Sequence, residues 1–267
     1  MKFAVAQVAC SVGDVPANVR KLRAFSLRAK SAGAAWVLFP EMSDTGYAMA
    51  AIREHATGWS VGAVPELKLI ARELQLGVIC GVSERAGNGI FNAQVAIAPT
   101  GEIVGHYRKT HLFAPPPIEE HLACAAGTDL SVIPIGDLRM GMGICYDLRF
   151  PEFHRALAVH YDANVFALSS AWPFPRVGHL RTLITARAIE NQSYFLLANR
   201  VGTDNGVTFC GNSAIIDPAG VILAAAGSDL EEVIVAEVAA GAVAAVRQAM
   251  PVFDHRRPEI YRPRLAS

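Results

Sequence analysis

Short apolar runs recur along the whole chain, joined in some places by stretches of helical period and in others by tight turns, and this alternation most constrains the fold. Residues 3–8 read as a strand, after which Val19, Leu22, Phe25, Ala29 and Ala32 recur at three- and four-residue intervals on an amphipathic helix. A strand at 36–39 follows. Pro65 suits a first helical turn, so a helix is expected over 65–76, stopped by Gly77 and followed by a strand at 78–82. Residues 92–98, the turn Pro99-Thr100-Gly101 and residues 103–107 read instead as a hairpin. Later strands are expected at 132–135, 139–144, 164–168, 194–198 and 213–216, with helices at 151–160 and 178–191. Asp217-Pro218-Ala219-Gly220 turns into a strand at 221–225, and 233–238 closes the series. Helical crossovers place strands parallel and hairpins place them antiparallel, so the pattern predicts an α/β protein with mixed sheets and helices outside.

No Ser/Gly or charged spacer interrupts the pattern, and the 267 residues are read as a single domain. Residues 251–267 are set apart as a C-terminal tail. They carry Arg256, Arg257, Arg262, Arg264 and three prolines with few apolar side chains, and are expected to pack on a partner subunit. Lysines and arginines balance aspartates and glutamates at 24 each, which gives no field suited to nucleic acid or an anionic membrane. No polar-free stretch is long enough to span a bilayer, and the first apolar run, broken by Gln7, reads as a buried strand rather than a secretion leader. The five cysteines are odd in number and lack metal-type or paired spacing, so a reduced, cytoplasmic setting is expected, with no metal.

Three strand ends carry chemistry. The run Met140-Gly141-Met142-Gly143-Ile144 ends at Cys145 before a turn into a helix, Trp36-Val37-Leu38-Phe39-Pro40 delivers Glu41, and Ile103-Val104-Gly105-His106-Tyr107-Arg108 delivers Lys109. Side chains at the carboxyl ends of sheet strands project into a crevice, where a thiol can serve as a nucleophile. A lone cysteine is most often a small buried hydrophobe, and that description is kept for Cys10, Cys80, Cys124 and Cys210. A thiol is mostly protonated near neutral pH, so Cys145 needs a base, and Glu41 is the candidate. Lys109, as an ammonium, cannot be that base; it can stabilise an oxyanion together with a backbone N–H near Tyr146. Asp147, Arg149 and Glu152 are assigned to structural ion pairs or helix-start charges, and Arg187, Glu190 and Asn191 to a structural polar network. The loop 169–176 follows a strand and should overhang the crevice, with Trp172 as a wall and Arg176 as a cationic fork for a substrate carboxylate.

In this order the residues resemble the nitrilase superfamily of carbon-nitrogen hydrolases. The likeness spans almost the whole chain: Phe39-Pro40-Glu41 with Gly46-Tyr47, Tyr107-Arg108-Lys109-Thr110-His111-Leu112-Phe113, Gly143-Ile144-Cys145-Tyr146-Asp147-Leu148-Arg149-Phe150-Pro151-Glu152, and Ala186-Arg187-Ala188-Ile189-Glu190-Asn191-Gln192. It implies a four-layer α-β-β-α sandwich of two mixed sheets that pairs with a second copy through its helices, as a homodimer or higher homo-oligomer. It implies a cofactor-free Glu-Lys-Cys triad of Glu41, Lys109 and Cys145, with Glu120, seven residues before Gly127, as the family's second glutamate. Tyr47, Phe113, Tyr146, Trp172 and Arg176 are the expected substrate-binding residues. Trp172-Pro173, Arg176 and Asn199-Arg200-Val201-Gly202 look most like the branch that hydrolyses small amides, including ω-amides of 2-oxo acids. Aliphatic amides, N-carbamoyl compounds and nitriles are the alternatives within the class. A catalytically silent binding subunit, or a thiol-redox protein with Cys124 as resolving cysteine, lies outside it. One departure is the short segment between Lys109 and Gly127, which carries Pro115-Pro116-Pro117 at the expected rim of the site.

Overall fold

The computed structural model describes residues 1–261. In chain order its elements are β1 (Lys2–Gln7), α1 (Val15–Ser31), β2 (Trp36–Leu38), α2 (Met49–His55), α3 (Ala63–Leu74), β3 (Gly77–Ala86), β4 (Gly89–Ile97), β5 (Ile103–Arg108), β6 (Val132–Ile135), β7 (Leu138–Ile144), α4 (Pro151–His160), β8 (Val165–Ser170), α5 (Val177–Asn191), β9 (Tyr194–Asn199), β10 (Thr203–Asp204), β11 (Val207–Thr208), β12 (Ala214–Ile216), β13 (Ile222–Ala225), β14 (Glu232–Glu237), α6 (Ala240–Ala249) and α7 (Pro258–Tyr261). Two six-stranded mixed sheets form, ordered β14-β1-β2-β3-β4-β5 and β13-β12-β9-β8-β7-β6. In each, three consecutive strands are parallel, β1-β2-β3 and β7-β8-β9, and the outer strands are added antiparallel.

Side-chain alternation sorts β1 between two cores. Phe3 and Val5 point to the core between the sheets, with Leu38, Ile79, Met140 and Met142, whereas Ala4, Ala6 and Val8 face Leu22 and Phe25 of α1 and Leu67 and Ile70 of α3. Helices α4 and α5 cover the second sheet through Leu157, Leu180 and Ile184. The layers are therefore α-β-β-α, as expected.

Local chemistry sets the helix ends. Asp14 caps α1 by accepting the Ala17 N–H at 3.0 Å, and Pro16 occupies its first turn. The buried stripe of α1 includes Asn18 and Ser26 beside Leu22, Phe25 and Ala29, while Ala32 falls outside the helix and is exposed. Asn18 is buried because its amide donates to the carbonyls of Ser11 and Asp44, at 2.7 and 2.8 Å. Helix α3 begins two residues before the expected Pro65 and stops at Gln75 in the left-handed conformation. Helices α2 and α6 carried no sequence expectation; α6 is rich in alanine and buries only Val243 fully, which leaves little amphipathic pattern. In the tail, Phe253 lies under the guanidinium groups of Arg155 and Arg247, 5.2 and 4.9 Å from its ring centre, within the same chain. Residues 262–267, with Arg262 and Arg264, lie outside the described residues.

Candidate active site

The three strand ends converge. Beyond β2, Phe39 and Pro40 carry the chain across the middle of β3 to Glu41. That crossing needs a glycine beneath it: a Cβ on Gly81 would stand 2.5 Å from the Pro40 carbonyl oxygen and 2.6 Å from the Glu41 Cα. Lys109 leaves β5 with its N–H donating to the Asn92 carbonyl at 2.8 Å and its carbonyl accepting the Gly127 N–H at 2.9 Å. Cys145 follows β7 at φ +42°, left-handed backbone that a side chain rarely adopts, and opens a short 3-10 turn.

Asp147 holds that turn. Its buried carboxylate accepts the Ile144 N–H at 2.9 Å and the Tyr107 hydroxyl at 2.8 Å, and it meets His111 Nδ1 at 2.8 Å. The segment that carries Lys109 is thereby tied to the turn that carries Cys145. Arg187 Nε donates to the Leu148 carbonyl at 3.1 Å from α5, and its guanidinium pairs with Glu190 at 3.0 Å, the structural network expected of these residues.

Lys109, Glu41 and Glu120 are completely buried. The ammonium lies 2.7 Å from Glu41 Oε1 and 2.7 Å from Glu120 Oε2. Asn92 donates to both carboxylates, at 2.6 Å to Glu41 Oε1. The remaining oxygen of Glu41 accepts the Ala171 N–H at 2.8 Å, and Glu120 Oε2 accepts the Phe113 N–H at 2.9 Å. Two of the three ammonium protons are thus engaged by carboxylates, which leaves one for a substrate oxygen.

Burial raises the Glu41 carboxyl above the ordinary carboxylate value although Lys109 pulls it down. For Lys109, burial opposes the charge, but Glu120 and Glu41 outweigh it and hold the ammonium well above the usual lysine range. Burial likewise raises the Cys145 thiol, Glu41 adds to that, and Lys109 works against both. Cys145 therefore rests as a neutral thiol near the Lys109 ammonium.

Cys145 opens onto about 300 Å³ of empty space. The cavity proper is only about 20 Å³, a narrow slot beside the thiol. All five expected substrate-binding residues, Tyr47, Phe113, Tyr146, Trp172 and Arg176, line it, together with Ile118, Ala171 and Pro173. Arg149 lines it as well. The ion pair expected of Arg149 does not form: its guanidinium stacks over the Trp172 ring at 4.5 Å, and among the described residues neither Arg149 nor Arg176 pairs with a carboxylate. Burial lowers the Arg149 guanidinium from its ordinary value, Tyr146 opposes this, and the like charge of Arg176 adds to the lowering.

Asn92 and Arg149 were the residues the sequence did not yield. Asn92 and Gln94 are two polar residues at period two in an otherwise apolar strand, which is the signal that marks Asn92. Arg149, in a turn among other charges, offers none. Among the described residues no group of three His, Cys, Asp or Glu side chains could hold a metal ion.

The chain matches the model of the carbon-nitrogen hydrolase family over residues 2–248. It is 34% identical over 264 residues to the 2-oxoglutaramate amidase of Bacillus subtilis (strain 168), covering 98% of this chain and 100% of that protein. It is 34% identical over 243 residues to the omega-amidase YafV of Escherichia coli (strain K12), covering 90% and 91%. Among solved structures it superposes with a TM-score of 0.86 on an amidase from Nesterenkonia sp. AN1 in complex with acrylamide, at 25% identity over 98% of this chain and 95% of that one. It also superposes, with a TM-score of 0.88, on XC1258 from Xanthomonas campestris, a CN-hydrolase superfamily protein with an arsenic adduct in its active site, at 28% identity over 96% and 97%.

Proposed function

Since this chain belongs to the carbon-nitrogen hydrolase family, we propose that it hydrolyses a small primary amide, an ω-amide of a dicarboxylic or 2-oxo acid, through a thioester on Cys145. The observation that carries this is the juxtaposition of a thiol, a fully buried carboxylate-ammonium-carboxylate cluster and two guanidinium groups without acidic partners around one compact pocket. The names of the Bacillus and Escherichia relatives point to the same substrate class.

In the proposed reaction Glu41 takes the thiol proton as the Cys145 sulfur attacks the amide carbon. The free N–H of Lys109, with the backbone N–H of Tyr146 at the opening of the 3-10 turn, stabilises the oxyanion. Glu41 returns its proton to the amine as the C–N bond breaks, and ammonia leaves. Water then gives a proton to Glu41 and attacks the thioester, and as the C–S bond breaks to release the acid that proton returns from Glu41 to the Cys145 sulfur. Glu120 accepts from Lys109 and holds its ammonium toward the oxyanion. Arg176 and Arg149 take the carboxylate at the far end of the substrate, since a charge withdrawn from water needs a fixed cationic partner.

The five cysteines are all free, which favours a reduced, cytoplasmic setting, and no described helix is long and apolar enough to cross a membrane. Homodimer formation through α4 and α5 completes the proposal, favoured by the exposure of Ile189 on α5 beside the turn at Gly220 and Val221.

The test is ammonia release from a panel of ω-amides, aliphatic amides, carbamoyl compounds and nitriles. A 2-oxo acid amide should be the best substrate, and trapped enzyme should carry its acyl mass on Cys145. Arg176→Ala should lower kcat/KM on the carboxylate-bearing amide by about thirty- to several-thousandfold, because a desolvated charge partner is worth ~2–5 kcal/mol, and should hardly alter an uncharged analogue. Equal losses on both substrates would remove Arg176 as anchor, and a preference for uncharged amides would overturn the substrate class.

A further inference from the structure

Ser169 and Ser170 end β8 side by side, and their hydroxyls meet opposite fates. That of Ser169 accepts from Gln94 at 2.8 Å and donates to the Phe39 carbonyl at 2.7 Å, filling the space between the sheets. That of Ser170 is completely buried and has no hydrogen-bond partner among the described residues. A buried hydroxyl left unpaired is costly, and replacing it by an apolar group of similar shape is close to neutral or stabilising. Fold stability therefore gives no reason for a serine at this position.

Register places the orphan hydroxyl next to the nucleophile. Strands β7 and β8 pair in parallel with Ile144, the last residue of β7, opposite Ser169, so Cys145 leaves its strand alongside Ser170, the last residue of β8. The backbone around Ser170 is pinned: its carbonyl accepts the Arg200 N–H at 3.1 Å, and the following N–H, of Ala171, donates to Glu41. Only rotation of the hydroxyl is left. We propose that Ser170 is a further catalytic residue, whose hydroxyl donates to the Cys145 sulfur when the thiol proton has moved to Glu41. The sulfur then bears the charge, the hydroxyl gains its missing acceptor, and attack on the amide carbon proceeds from a stabilised thiolate. When the thioester is hydrolysed and the C–S bond breaks, the same donor stabilises the departing sulfur. An interaction absent in the resting thiol and made only as charge develops lowers the barrier without tightening substrate binding. The direction agrees with the titration of Cys145, where burial and Glu41 raise the thiol while Lys109 and the nearby Ser170 hydroxyl pull against them.

This inference rests on Cys145 as the nucleophile, and the experiment separates the two. The rate of Cys145 alkylation by iodoacetamide is followed against pH in the wild type, Ser170→Ala and Ser169→Ala, with the labelled residue identified by mass and Tm recorded for each. A hydrogen bond to a charged sulfur corresponds to about one pH unit or about tenfold in rate. Ser170→Ala should move the profile to higher pH by that amount and lower kcat about tenfold with KM unchanged, while its Tm holds or rises. Ser169→Ala, which breaks two satisfied bonds, should lower Tm and leave the alkylation profile in place. A Ser170→Ala profile superimposed on the wild type overturns the role of Ser170, as does an equal displacement in Ser169→Ala. Label on a cysteine other than Cys145 would instead overturn the nucleophile assignment itself.

Discussion

At the scale of single residues, the charge state of the buried cluster is decided by competition between desolvation and pairing. Burial alone would neutralise Lys109, yet two carboxylates at 2.7 Å keep it an ammonium, so a positive charge stands ready where an oxyanion would form. Burial raises the Glu41 carboxyl above its ordinary 4.5 against the pull of Lys109, and the nearby charge of Glu120 adds to the rise. The base must be ionised to act, so the acid limb of kcat/KM should lie above pH 4.5, with activity falling as pH falls through the limb. Glu41→Gln keeps an oxygen for the Ala171 N–H and removes the base. It should lower kcat by about a thousandfold or more and abolish the acid limb, measured as ammonia release against pH. Near-normal turnover would take Glu41 out of the mechanism. Glu41, Lys109 and Cys145 were legible because each follows an apolar strand end in a recognisable motif, and Glu120 only through its place before Gly127 in the family resemblance. Arg149 was not, because an arginine in a charged turn looks the same whether its partner is a neighbouring carboxylate or a substrate.

At the scale of elements, strands and crossover helices were legible from periodicity, and their ends were less so. Strand β3 runs four residues beyond the expected Val82, to Ala86, because Ser83, Glu84 and Arg85 still pair with β4, and polar residues at a sheet end carry no apolar period. The close approaches that aim the site were also hidden: Gly81 looks like any strand glycine until Glu41 is found crossing it. Helix α4 hides a further consequence. His154 is buried among Phe153, Phe166 and Phe195, with ring centres 5.2 to 5.5 Å away, and desolvation first, then the charge of Arg187, lowers it from 6.5 to about 3. Below pH 6.5 the unfolded chain takes up a proton that the native helix refuses, so the stability present above 6.5 is lost progressively as pH falls toward 3. By pH 5 this single residue should cost about 2 kcal/mol. His154→Phe should remove that share of the acid sensitivity, read as the change in urea-unfolding free energy between pH 7.5 and pH 5. A fixed packing penalty shifts both pH values equally and cancels. An unchanged difference between the two pH values would show that His154 is protonated in the native protein.

At the scale of the molecule, the two sheets meet through a shared apolar core, and the site sits where strand ends from both sheets abut: Glu41 and Lys109 from the first, Cys145 and Ala171 from the second. The geometry of catalysis therefore depends on how the second sheet and its helices are held. Arg187 links α5 to the Leu148 carbonyl within the turn that carries Cys145, so a force on α5 reaches the nucleophile through one hydrogen bond. The same helix presents Ile189, half exposed, against the turn at Gly220, where Val221 is exposed as well. In the proposed homodimer Ile189 is covered, and a symmetric interface doubles every contact, so one substitution acts twice. Ile189→Asp places two carboxylates in that interface and should turn a dimer into a monomer at micromolar concentration by sedimentation. It should also slow alkylation of Cys145 and ammonia release together, because α5 loses the partner that fixes Arg187. A wild-type protein that sediments as a fully active monomer would end the dimer proposal, and a monomeric Ile189→Asp variant with undiminished Cys145 reactivity would show that α5 transmits nothing to the nucleophile.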